Sequence, residues 1–112
     1  VITSQVIRFG EGPSVTAEMA HYKAILLATC PPGARRDIYQ LITQPGDDRH
    51  SHPHSAGSIE HIILTKGRAL IGPIDSPVEL NPGDYICYPG DQPHIFKALE
   101  PDTHAILISE QN

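Results

Sequence analysis

Four side chains in two short segments could act together: His52, His54 and Glu60 in His-Pro-His-Ser-Ala-Gly-Ser-Ile-Glu, and His94 in Pro-Gly-Asp-Gln-Pro-His. Imidazole nitrogens with one carboxylate form a borderline-soft donor set. It suits Zn, Fe, Ni, Cu or Mn and is poor for Ca or Mg. Spacing matters as much as identity. Alternate residues of a β-strand share a face, so His52 and His54 can both point into one cavity. Glu60 lies in an otherwise apolar run, where an isolated buried carboxylate is costly unless it is paired or coordinated.

Such a set needs rigid elements to hold it. The chain has 112 residues, enough for one domain spanning 1–112. Eleven prolines and nine glycines interrupt it too often for long helices. Strand-like runs are expected at Gln5–Phe9, Tyr22–Thr29, Ile38–Thr43, Ile59–Thr65, Arg68–Gly72, Val78–Leu80, Tyr85–Tyr88, His94–Ala98 and Ala105–Ser109. Turn signals separate them, among them Lys66-Gly67, Asn81-Pro82-Gly83 and Pro89-Gly90-Asp91. Short strands at this spacing predict an all-β sandwich or barrel. Ser14–His21 is the one helix candidate. Pro93 stands at a strand start, where proline is tolerated, and rigidly aims His94.

Composition excludes other classes. No apolar run approaches the ~20 residues of a membrane helix. Net charge is −5 and the eight Lys and Arg are scattered, so a nucleic-acid face on this chain is not expected. Cys30 and Cys87 are too few and too far apart for a disulfide framework. Within Tyr-Ile-Cys-Tyr, Cys87 reads as a buried free thiol, and Tyr39, Tyr85, Tyr88 and Phe96 read mostly as core. Tyr88 could also line a pocket. His61 is expected on the sheet face opposite Glu60, as a packing residue or as a partner that supports the site. Arg35 and Arg36 read as a solvated turn, with an anion clamp as the competing thought.

The pattern Gly46-x5-His52-x-His54-x5-Glu60-x6-Gly67, followed by Gly83-x5-Pro89-Gly90-x3-His94, resembles the two signature motifs of the cupin superfamily. The resemblance implies a double-stranded β-helix (a jelly-roll barrel) with a metal at its centre. It makes His52, His54, Glu60 and His94 the candidate ligands of one divalent transition metal (Zn, Fe, Ni or Mn). Five residues, Ser55 to Ile59, separate His54 from Glu60, a longer gap than in many metal-bearing cupin enzymes. Pro53-His54-x-x-Gly57-x-x-Glu60-His61 and Asp91-x-Pro93-His94 are similar to the C-terminal cupin sensor domain of Xre-type helix-turn-helix transcriptional regulators. That resemblance implies a cytoplasmic domain that is the C-terminal sensor part of a longer regulator. A small-molecule effector and a homodimer are expected, with DNA reached only through a helix-turn-helix domain outside this chain. The alternative is a stand-alone metal-dependent enzyme (dioxygenase, isomerase or lyase). Catalysis would need an acid or base within reach, and only Tyr88 and His61 offer themselves.

Overall fold

A computed structural model describes residues 8, 11–16, 22–28, 33, 35–46, 49–51 and 56–111. Ten strands follow in order: β1 (Ser14–Thr16), β2 (Tyr22–Ala28), β3 (Arg36–Thr43), β4 (Arg49–Ser51), β5 (Ile59–Lys66), β6 (Ala69–Pro73), β7 (Val78–Leu80), β8 (Tyr85–Pro89), β9 (His94–Ala98) and β10 (Thr103–Glu110). They form a six-stranded sheet, β1-β2-β3-β10-β5-β8, and a four-stranded sheet, β4-β9-β6-β7, with antiparallel pairing throughout. This is the all-β jelly roll expected from the pattern. Ser14–Thr16 is strand rather than helix, and there is no helix among the described residues, hence none long and apolar enough to cross a membrane. The expected strand at Gln5–Phe9 falls outside the described residues except for Arg8, as does Cys30.

Alternation decides what faces the core. Along β5, Glu60, Ile62 and Leu64 are buried while Ile59, Ile63 and Thr65 are exposed, the two-residue period of a strand with one wet face. Across the sandwich, Leu41, Ile62, Leu64, Ile71, Leu80 and Phe96 fill the interior. Thr43 and Thr103 are buried too, and both are satisfied. Thr43 Oγ1 donates to the Thr103 carbonyl (3.0 Å), and Thr103 Oγ1 donates to that of Glu100 (2.8 Å).

Two motif glycines have a steric cause. Gly67 has φ +83°, and a Cβ there would run into the Thr103 side chain, so the β5–β6 turn tolerates no larger residue. Gly83 has φ +94° in the Asn81–Asp84 turn. There Asp84 N–H donates to the Asn81 carbonyl (2.9 Å), and the Asp84 carboxylate accepts from Asn81 N–H (2.8 Å). That turn delivers β8 alongside β5, and β8 carries Tyr88 to the interior.

Two side-chain expectations are corrected. Cys87 is exposed, and Tyr85 is exposed as well. Strand β8 is the last strand of its sheet, and its burial alternates so that only Tyr88 of the Tyr-Ile-Cys-Tyr run is fully enclosed. An apolar run on an edge strand hides its period, because Cys and Tyr are equally at home on either face.

Candidate functional site

Glu60 and His94 come from different sheets and meet inside the sandwich. Glu60 is the second residue of β5 and His94 the first of β9. They are 5% and 3% exposed, and His94 Nε2 lies 3.5 Å from Glu60 Oε1. Tyr88, directly across the ladder from Glu60, donates its hydroxyl to the same oxygen at 2.6 Å, and its ring centroid is 5.3 Å from that of His94. Burial, then the Glu60 carboxylate, pushes the Tyr88 phenol well above the ordinary tyrosine range. It therefore stays protonated at any working pH and acts as a fixed donor. Tyr39 is also raised, first by burial and then by Asp37 and Glu60.

The tautomer of His94 follows from its other nitrogen. Nδ1 lies 2.8 Å from the Gln92 carbonyl, which can only accept, so Nδ1 carries a proton. Nε2 is left facing Glu60. At 3.5 Å the contact is long for a hydrogen bond, and it is an ion pair only when His94 holds both protons. The same separation suits two donors on one ion: ligands at ~2.1 Å in tetrahedral array stand about 3.4 Å apart. A ligating histidine commonly gives its second N–H to a backbone carbonyl, and a ligating carboxylate commonly accepts a hydrogen bond; both supports are present. The residues therefore fit a transition metal.

His52 and His54 lie outside the described residues. Their flanks do not. Ser51 is the register partner of His94 in the β4–β9 pair. On the far side, Gly57 N–H donates to the Asp91 carboxylate (2.9 Å) and Gly90 N–H to the Ser58 carbonyl (2.8 Å). Ser51 is thus paired with β9, and Gly57 and Ser58 with the turn that precedes it. Among the described residues no three His, Cys, Asp or Glu side chains gather about one point; Glu60 and His94 contribute two.

His61 is not part of this cluster. It occupies the opposite face of β5, with Nδ1 2.7 Å from the Tyr85 hydroxyl and Nε2 3.7 Å from Glu110. Asp91 and the Gln92 carbonyl are supports to which the sequence assigned no role. Asp91 had a signal, its place in the Asp-x-Pro-His turn; a backbone carbonyl has none.

Residues 40–109 match the family profile described as Cupin domain. The chain belongs to the cupin family. Among solved structures, this cupin is similar to an HTH_3 family transcriptional regulator from Vibrio cholerae (22% identity, TM-score 0.78, covering 83% of this chain and 52% of that one). It thus spans about half the length of that regulator. It is also similar to the Cupin_2 domain of an XRE family transcriptional regulator from Enterobacter cloacae (22% identity, TM-score 0.76, 82% and 98% covered). KdgF from Halomonas sp. matches at 19% identity and TM-score 0.75, with 98% and 96% covered. At these identities the likeness concerns the cupin fold. No curated protein matches the sequence.

Proposed function

We propose that this cupin is a metal-binding, small-molecule-sensing domain of a bacterial transcriptional regulator. The carrying observation is the buried Glu60–Tyr88–His94 cluster, whose hydrogen bonds leave the Glu60 carboxylate and His94 Nε2 turned toward one another. His52 and His54 would complete the ligand set with Glu60 and His94. The metal would supply a Lewis-acidic centre for a ligand's oxygen or nitrogen. Tyr88 would hold the carboxylate in place, and the Gln92 carbonyl would hold the imidazole. The domain would serve as the C-terminal part of a longer chain, working in the cytoplasm as a homodimer. Two-fold symmetry would match a palindromic operator read by a helix-turn-helix domain. An effector regulates such a protein only by binding one arrangement better than the other.

The stand-alone enzyme is less well supported, although KdgF is among the similar folds. The Tyr88 hydroxyl is committed to Glu60 at 2.6 Å, and His61 faces away from the cluster.

Elemental analysis of the purified protein tests the metal: roughly one transition-metal ion per chain is expected, and His94→Ala should lose it. Full occupancy in that variant would remove His94 from the set. A complete reading frame without a helix-turn-helix pattern would contradict the regulator.

A further inference from the structure

Ser58 lies two residues before Glu60 and is 1% exposed. Its neighbour Ile59 is exposed and Glu60 is buried, so the inward–outward alternation of β5 already holds at Ser58. The ladder extends to it as well: after Glu60 opposite Tyr88 and Ile59 opposite Pro89, Gly90 N–H donates to the Ser58 carbonyl at 2.8 Å. Ser58 therefore shares the inner face with Glu60, roughly 6.6 Å along the strand. The residue across from it, Gly90, has no side chain to meet it.

The hydroxyl has no hydrogen-bond partner among the described residues. Three other buried hydroxyls, those of Thr43, Tyr88 and Thr103, each donate to an oxygen within 3.0 Å. A buried hydroxyl left alone destabilises a fold, and alanine would fill the position without that cost.

The structure assigns Ser58 to ligand binding: its hydroxyl donates to an oxygen of a small organic acid seated at the Glu60–His94 centre. This rests on the metal-centred reading of that site. A divalent ion beside a single carboxylate keeps net positive charge and draws an anionic oxygen. The Tyr88 proton is already given to Glu60, so Ser58 supplies the donor for a second oxygen of the same molecule. The aromatic ring of Tyr88, beside that of His94, supplies an apolar surface at this centre, and acetate, pyruvate and lactate are the probes.

Thermal unfolding of metal-free protein compares the wild type with Ser58→Ala. Removal of an unsatisfied hydroxyl should raise Tm by about 3 °C or more. An unchanged or lower Tm would mean that the hydroxyl is already satisfied in the free protein, and would overturn the assignment. Zinc-loaded wild type and variant, matched for metal content, are then titrated calorimetrically with acetate, pyruvate and lactate. At least one acid should bind the wild type and bind Ser58→Ala roughly tenfold more weakly. Equal affinity, or no binding of any of the three to the wild type, overturns it too. Should the wild type take up no zinc, the metal reading falls, and the metal-free comparison still decides whether Ser58 carries an unmet hydrogen bond.

Discussion

The strand pair β5–β8 has a histidine–tyrosine–glutamate group at each of its two faces, and the two groups differ in almost everything but composition. Inside, Tyr88, Glu60 and the incoming His94 are nearly sealed from water. Outside, Tyr85 is 54% exposed, and His61 lies between its hydroxyl and a Glu110 side chain that is 45% exposed. Distances are similar: 2.6 Å and 3.5 Å within, 2.7 Å and 3.7 Å without. Water reaches Tyr85 and Glu110, so the outer ion pair is screened and contributes little to stability. The inner contacts act in a low dielectric, where an unmet partner is expensive and a met one is held rigidly. Burial, rather than residue type, separates a candidate site from a surface cluster.

Replacing the two glutamates should separate the faces most widely. Glu60→Ala is expected to cost about 3 kcal/mol in urea unfolding of metal-free protein, since it strands the Tyr88 hydroxyl and empties a buried position. Glu110→Ala should stay within ~0.5 kcal/mol. Comparable losses would erase the distinction between the faces. The tyrosines give a smaller contrast. Tyr88→Phe should cost about 1–2 kcal/mol and weaken metal retention roughly tenfold, whereas Tyr85→Phe should leave both unchanged.

A thiol reagent sharpens the outer half of the comparison. Cys87 in the folded protein should be modified nearly as fast as in urea, because it lies exposed on the wet face. Strong protection would place it inside after all.

The smallest effect concerns pH. His104 lies on the same outer face, one residue from the inward Thr103 and Ala105. Its pKa is lowered from 6.5, first by burial and then by Lys66, against an opposing pull from Asp102. As pH falls, the unfolded chain binds this proton before the folded one. The contribution is therefore complete above about pH 6.5 and is lost as pH drops through the lower, folded value. In thermal melts across that range, His104→Gln should flatten the slope slightly. A steeper slope in the variant would reverse the assigned sign.

Much of this was legible in the chain. Val78–Leu80 and His94–Ala98 are strands with the expected bounds, and β5 and β8 differ from expectation by one residue each. Strong punctuation by proline and glycine explains that success. Ser14–Thr16 was not legible: three polar or β-branched residues become strand by pairing with Tyr22–Ala28, a contact between segments that no local pattern announces. Glu60 and His94 were visible as a motif, and the structure brings them together. The Tyr88–Glu60 bond depends on cross-strand register, and the Gln92 contact on a backbone atom, so neither could be read from residue types. Ser58 could have been read, since it shares the parity of Glu60.

An anomalous-scattering map from crystals of metal-loaded protein tests the central claim most directly. The account predicts a single strong peak about 2.0–2.2 Å from both His94 Nε2 and a Glu60 oxygen. A map with no peak there, while the metal sits elsewhere on the molecule, would contradict it.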